Sequence, residues 1–248
     1  MRTFLLIITL LLVQTTVYAA DANIELKSLR VNLNNQASLQ RGAQLFMNYC
    51  SGCHSLKYLR YTSMAKGLGL TTFDGSIDKD LLMNNLIFTS SKPHEPIEVA
   101  MPDVDARQWF GRMPPDLTLT SRERGPNWIY TYLKSFYKDE TRPFGANNLL
   151  VPDVSMPNVL VNLQGEVIAA KNKGHSGGQP PLKLVLIEPG SMTQQEFDSA
   201  LKDLVTFLVY VAEPHKLERY SLGVWVLMFL MVLAVFAYLL KKAYWKNI

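Results

Sequence analysis

The sequence has 248 residues, of which 48% are hydrophobic and 10% aromatic, with 25 basic and 21 acidic side chains. This composition excludes a disordered chain, and the mean hydropathy of +0.03 excludes a polytopic membrane protein. The formal charge of +4 could indicate a protein that binds nucleic acid. However, residues 3–240 hold 21 basic and 21 acidic side chains and are therefore neutral overall. The four surplus charges lie at the two ends: Arg2, Lys241, Lys242 and Lys246. We therefore expect no nucleic-acid binding.

The first 20 residues are typical of a signal peptide. Arg2 precedes an apolar run over residues 4–13, which is too short to span a bilayer. Val17-Tyr18-Ala19 then offers acceptable −3 and −1 positions for signal peptidase. We predict a cleaved signal peptide over residues 1–19 and export of the rest of the chain.

The central region predicts a mainly α fold with long loops. Apolar residues recur at helical spacing in four segments. These are a helix running into Cys50, a weaker one over residues 78–88, one from Pro126 that carries side chains to Phe136, and one from Thr193 that stops at Pro214. Residues 159–169 and 182–187 predict one short hairpin. Long proline-punctuated loops, such as residues 143–157 and 174–181, indicate that a large buried cofactor organises the domain.

Residues 221–240 form an uncharged apolar run near the C-terminus. A helix of that length spans about 30 Å, the thickness of the hydrocarbon core of a bilayer. The lysines that follow should stay on the cytoplasmic side. We predict a domain over residues 20–219, a single transmembrane anchor over residues 220–240 and a cytoplasmic tail over residues 241–248. In a bacterium, the domain would then lie in the periplasm and the anchor in the inner membrane.

The two cysteines form the strongest motif, Cys50-Ser51-Gly52-Cys53-His54. C-x-x-C-H is the attachment pattern of a c-type haem, in which both thiols form thioethers and the histidine binds the iron. A redox disulfide would be expected at a helix start in a βαβ pattern, which is not predicted here. A structural zinc site would need a second pair of ligands. We therefore predict one covalent haem c on Cys50 and Cys53, with His54 as a metal ligand.

The sixth iron ligand is not settled by spacing alone. His94, His175 and His215 are candidates, as are several methionines. Three methionines each lie near a proline on a predicted loop, where the side chain is free to reach over a haem; in order of preference they are Met156, Met113 and Met101.

The chain resembles the cytochrome c1 family, the haem-bearing subunits of ubiquinol–cytochrome c reductase (the cytochrome bc1 complex). The resemblance covers nearly the whole mature chain. It rests on RGAQLFMNYCSGCH at residues 41–54, GRMPPDLT at 111–118, RERG at 122–125, NWIY at 127–130, SMP at 155–157 and TFLVYVAEP at 206–214. The P-P-D-L block and the A-E-P before a C-terminal span are more specific than C-x-x-C-H.

The resemblance implies a cytochrome c-like haem domain with His54 and Met156 as axial ligands. It also implies that Arg124 and Tyr130 hold a haem propionate. The expected function is transfer of single electrons from the Rieske iron–sulfur protein to a soluble cytochrome c or an equivalent carrier. Cytochrome b would be a further partner within a dimeric, membrane-bound complex, and this subunit would have no substrate chemistry of its own.

Two other functions remain open from the residues. The first is a membrane-tethered electron shuttle or a haem subunit of a terminal oxidase, which would not co-purify with cytochrome b. The second is a haem sensor or peroxidase with an open iron position, which would bind carbon monoxide readily.

Overall fold

The computed structural model describes residues 24–171 and 182–246. The predicted signal peptide, the whole predicted loop 174–181 with His175, and the last two residues of the tail lie outside the described residues. The described residues form a mainly α fold. Its elements are α1 Gln36–Tyr49, β1 Leu56–Arg60, α2 Tyr61–Gly67, α3 Lys79–Asn85, β2 Pro96–Ile97, α4 Asp103–Phe110, α5 Thr120–Glu123, α6 Pro126–Lys134, β3 Phe136–Lys138, β4 Ala146–Asn148, α7 Val161–Gln164, β5 Gly165–Lys171, β6 Leu182–Pro189, α8 Gln194–Ala212 and α9 Lys216–Tyr244.

The core is built around α8, which carries the longest apolar face of the haem-domain region. Thr193 starts this helix with a capping box, in which its side chain accepts from the Glu196 N–H and the Glu196 carboxylate accepts from the Thr193 N–H. In the first half of the helix, buried side chains such as Phe197 and Leu201 lie on one face. From Asp203 to Ala212 every residue is buried. The helix packs mainly against α1, with α5 and α6 alongside. The predicted fourth helix is therefore confirmed.

Helix α1 crosses α8 at very short range because Gly42 has no side chain. A Cβ at position 42 would lie 2.1 Å from the Asp203 carbonyl oxygen. Next to this crossing, the Ser38 hydroxyl donates to the Asp203 carboxylate over 2.5 Å, and Arg41 pairs with it over 2.6 Å. The tight contact fixes the direction of α1, and α1 leads directly into the C-x-x-C-H motif.

The three small sheets among the described residues tie loops to this core. Each is an antiparallel pair: β1 with β2, β3 with β4, and β5 with β6. In the second pair, Phe136 lies opposite Asn148. The β5–β6 hairpin packs against β3. Strand β1 follows the C-x-x-C-H motif, while β4 and β5 lie before and after the segment that carries Met156.

The predicted helices are confirmed, with three corrections to the element boundaries. The second predicted helix, expected over residues 78–88, is α3 and ends at Asn85. Phe136 lies in β3 and not in the third predicted helix, which ends at Lys134, because Ser135 closes that helix and its hydroxyl donates to the Thr131 carbonyl. The first strand of the predicted hairpin begins at Gly165, because the preceding residues form α7. Helices α2, α4, α5 and α7 were not predicted.

The predicted apolar run lies inside α9, a 29-residue helix whose most apolar 18-residue stretch has a mean hydropathy of 2.6. It is the one helix in the described part of the chain that is long and apolar enough to cross a membrane. None of its side chains is buried against the other described residues. An apolar helix exposed in this way is typical of a membrane span or of a contact with another chain.

Candidate haem site

The C-x-x-C-H motif forms a tight turn at the end of α1. The Cys50 N–H donates to the Phe46 carbonyl, and the N–H groups of Cys53 and His54 both donate to the Cys50 carbonyl, over 3.0 and 2.9 Å. Burial, followed by the proximity of Cys53, raises the pKa of the Cys50 thiol to about 12. Burial also raises the pKa of Cys53. A catalytic disulfide needs a lowered thiol pKa, so these cysteines suit attachment rather than thiol exchange.

His54 is held in the orientation that a metal ligand needs. Its Nδ1 lies 2.8 Å from the Pro115 carbonyl oxygen. Because a carbonyl oxygen can only accept a hydrogen bond, Nδ1 carries the proton. Nε2 is then unprotonated, and its lone pair is available to bind a metal. Burial lowers the pKa of His54, while the hydrogen bond to Pro115 and the charge of Asp116 act in the opposite direction. The neutral imidazole, the form that binds iron, is therefore favoured at neutral pH.

The P-P-D-L segment, residues 114–117, is hydrogen-bonded to the C-x-x-C-H turn and to the residues that follow it. The Leu117 N–H donates to the Ser55 carbonyl over 3.0 Å. The Asp116 carboxylate accepts from the N–H groups of Lys57 and Thr118, over 2.8 and 3.0 Å. The block therefore connects to the residues on the C-terminal side of His54 and supplies its carbonyl partner.

Asp116→Ala is expected to destabilise the protein, because two backbone N–H groups lose their acceptor. The expected loss is about 1–3 kcal/mol, or a fall of several degrees in the unfolding temperature. Asp116→Asn should recover part of it, since one amide oxygen still accepts. Thermal unfolding followed by circular dichroism measures the effect. The matched control is Glu140→Ala, at a side chain that is 84% exposed. Equal unfolding temperatures for Asp116→Ala and the control would contradict this role.

Of the three preferred loop methionines, Met156 is the one that packs against the core. It is half-buried there, and the Tyr132 hydroxyl donates to its Sδ over 3.4 Å. Met113 and Met101 are also half-buried, but they are not part of this packing. His94 and His215 are exposed, and His215 pairs with Glu218 over 3.0 Å. The geometry thus favours Met156 among the candidates for the sixth ligand.

Two buried asparagines position the segment that carries Met156. The Asn148 side chain accepts from the N–H groups of Leu150 and Val151, over 2.9 and 3.1 Å, and donates to the Tyr132 carbonyl over 2.8 Å. The Asn147 side chain accepts from the Asp153 N–H over 2.9 Å. These residues were not found from the sequence, because an Asn-Asn pair in a loop is typical of any turn.

Arg124 and Tyr130, the predicted propionate residues, lie in different surroundings. The Arg124 guanidinium lies 5.2 Å from the centre of the Trp128 ring and pairs with Glu123 over 3.4 Å. Tyr130 is 8% exposed and lies beside Lys134, whose ammonium is 5.3 Å from the ring centre. Burial raises the pKa of Tyr130.

Trp128 is the aromatic residue that the structure places with Arg124. It stacks on Tyr132 one turn later, at 5.1 Å and 7° between the rings. Tyr130 is two residues from each of them and so projects from the other side of α6. The structure therefore brings Arg124 together with the Trp128–Tyr132 face, and through it with Met156, but does not bring Tyr130 to that face.

The donor set fits a c-type haem. Two thiols lie one turn apart, an imidazole presents a free Nε2, and a thioether lies on a positioned loop. The neighbouring apolar side chains are only half-buried although they pack against the core, as expected of side chains that a large apolar group would cover. They are Cys50, Leu117, Trp128, Tyr132 and Met156.

Comparison with known proteins gives the family. The model of the Cytochrome C1 family matches residues 29–248. The chain belongs to the cytochrome c1 family. A protein of Allochromatium vinosum named cytochrome c1 is 50% identical over 250 residues, and the alignment covers the full length of both chains. The cytochrome c1 of Rhodospirillum rubrum is 30% identical, over 86% of this chain and 83% of its own.

A further relative carries a different name. A protein of Nitrosomonas europaea named ammonia monooxygenase gamma subunit is 36% identical over 98% of this chain and 97% of its own length. Membership of the cytochrome c1 family implies haem c as the cofactor, which agrees with the donor set.

Proposed function

We propose that this chain is the haem-bearing electron-transfer subunit of a cytochrome bc1 complex. The observation that carries the proposal is the C-x-x-C-H turn, whose histidine has its Nδ1 engaged by Pro115 and its Nε2 free, in a member of the cytochrome c1 family. The exposed apolar helix α9 agrees with a subunit anchored in a membrane.

Four side chains would hold the haem. Cys50 and Cys53 would attach it through two thioether bonds, and His54 and Met156 would be the iron ligands. When bound, the haem would supply one-electron exchange. A neutral imidazole and a thioether as ligands would favour the reduced state and raise the reduction potential, and the subunit would then transfer electrons without binding a substrate.

Arg124 is the proposed partner of a haem propionate, because its guanidinium lies on the face that carries Met156 and half its side chain is exposed. A guanidinium forms strong, charge-assisted hydrogen bonds with a carboxylate. The resemblance implied Tyr130 as the second contact. Its position beside Lys134, on the other side of α6, makes Trp128 the better candidate.

The proposed topology places the haem domain in the periplasm, with residues 1–19 removed as a signal peptide and residues 241–248 in the cytoplasm. Lys241 and Lys242 in the last turn of α9 support this orientation. A reporter enzyme that is active only outside the cytoplasm should be inactive when fused after Ile248. An active fusion would reverse the orientation.

The function is tested by purifying the full chain from membranes in mild detergent and identifying the proteins bound to it. We expect cytochrome b and a Rieske iron–sulfur protein. We also expect that added quinol reduces the haem, and that the reduced haem is oxidised by a soluble cytochrome c. Co-purification with subunits of a terminal oxidase or an ammonia monooxygenase, in place of cytochrome b, would contradict the proposal. So would ready binding of carbon monoxide by the reduced protein, which is expected of a sensor or peroxidase.

A further inference from the structure

The Tyr132 hydroxyl forms a hydrogen bond with the Met156 sulfur that the proposed function does not require. The oxygen lies 3.4 Å from Sδ, and Tyr132 is the donor because a thioether can only accept. A phenolic O–H keeps its proton at neutral pH, so the hydroxyl is able to donate.

Both partners of this bond are held in place by the surrounding structure. The Tyr132 ring stacks on Trp128 and meets Phe136 edge-on at 5.2 Å and 71°. The Tyr132 carbonyl accepts from Asn148, the same residue that fixes the N–H groups at the start of the segment leading to Met156. One asparagine therefore links the donor residue to the acceptor loop, so the contact does not depend on two free side chains meeting.

A thioether sulfur has two lone pairs, so one can bind a metal while the other accepts a hydrogen bond. Donation from Tyr132 withdraws electron density from the sulfur. A ferric iron needs that density more than a ferrous iron does, so the bond disfavours the oxidised state. We propose that Tyr132 is a positioning residue for Met156, which holds the thioether at the haem and raises the reduction potential through this hydrogen bond. The inference rests on Met156 being the sixth ligand, as in the proposed function.

Tyr132→Phe in the detergent-purified complex tests the inference. The variant removes the hydroxyl and keeps the ring that packs between Trp128 and Phe136. In a redox titration we expect a fall in potential that corresponds to a decrease of about 2- to 10-fold in the equilibrium constant for reduction. A tenfold decrease is about 59 mV for one electron. The fall supports the inference whether carbon monoxide stays excluded, which shows tuning, or begins to bind, which shows that the bond holds the ligand in place.

Tyr210→Phe is the matched control. Tyr210 is buried in the core. Its hydroxyl also donates over 3.4 Å, but the acceptor is the carbonyl of Ser63 in α2. We expect no change in potential. An unchanged potential in Tyr132→Phe, or an equal fall in both tyrosine variants, would overturn the inference. If Tyr132→Phe left the potential unchanged while Met156→Leu lowered it, the inference about Tyr132 would fail and the proposed function would stand. If Met156→Leu had no effect either, the ligand assignment itself would fail.

Discussion

Met156→Leu is expected to lower the reduction potential of the haem sharply and to open the iron to carbon monoxide. Leucine has no lone pair, so the iron loses its thioether ligand, and with it the preference for the reduced state. The two side chains have similar volumes, and such exchanges cost less than about 1.5 kcal/mol of stability. The fold should therefore survive. Redox titration and carbon monoxide difference spectra of the purified variant measure both effects.

Met113→Leu and Met101→Leu are the matched controls for this ligand assignment. Both residues lie near prolines on loops and are half-buried, but only Met156 packs against the core and accepts a hydrogen bond from Tyr132. We expect each control to keep its potential and to exclude carbon monoxide. A normal potential in Met156→Leu, together with a fall in one of the controls, would transfer the ligand role to that methionine.

Gly42→Ala is expected to produce the largest loss of stability among single-atom additions to α1. The new Cβ would lie 2.1 Å from the Asp203 carbonyl oxygen and 2.7 Å from the Phe207 Cβ, so α1 and α8 must move apart. Overpacking of this kind costs about 1–3 kcal/mol, and here it exceeds the gain of about 1 kcal/mol from replacing glycine in a helix. Because α1 ends at the haem turn, the displacement would also reach Cys50. Thermal unfolding, followed by circular dichroism and haem absorbance, measures both consequences.

Gly223→Ala in α9 is the control, because it makes the same exchange inside a helix. Among the described residues, no atom outside its own helix lies within 4 Å of the Cβ that it would add. We expect an unfolding temperature equal to or above that of the native chain. A Gly42→Ala variant that is as stable as Gly223→Ala would show that the α1–α8 crossing does not need a glycine.

The parts of the site that could be predicted are those in which one short stretch of sequence carries the chemistry. Cys50, Cys53 and His54 are contiguous, and a helical turn of that composition admits few functions. The partner of His54 is 61 residues away and is a backbone carbonyl. Every residue has such a carbonyl, so no residue type marks Pro115 as the acceptor. The P-P-D-L block was recognised by resemblance, whereas its role in holding the haem turn became clear only from the structure.

The helix boundaries show a related limit. Phe136 continues the helical spacing of Trp128 and Tyr132, and it does contact Tyr132 at 5.2 Å. The chain nevertheless leaves the helix at Ser135, so a side chain in a strand completes an aromatic cluster that begins in a helix. Apolar spacing reports which residues pack together, and it does not report where the backbone changes conformation.

The candidate propionate residues illustrate how a resemblance can point to a segment and leave the residue open. Arg124 lies at the end of α5, just before α6, and contacts Trp128 in the first turns of α6. The motif N-W-I-Y contains two aromatic residues, Trp128 and Tyr130, which project from different sides of the helix. The choice between them depends on the rotation of α6 against α8, which tertiary packing sets and sequence spacing alone does not.

The central claim is that Cys50 and Cys53 carry a covalent haem, and intact-protein mass spectrometry of the denatured, purified chain tests it most directly. We predict a polypeptide mass greater than that of the apoprotein by one haem, and a proteolytic peptide containing Cys50 and Cys53 that carries the whole increment. A Cys50→Ala, Cys53→Ala double variant should lose it. A denatured wild-type chain with the mass of the apoprotein, or with the two cysteines joined as a disulfide, would contradict the account.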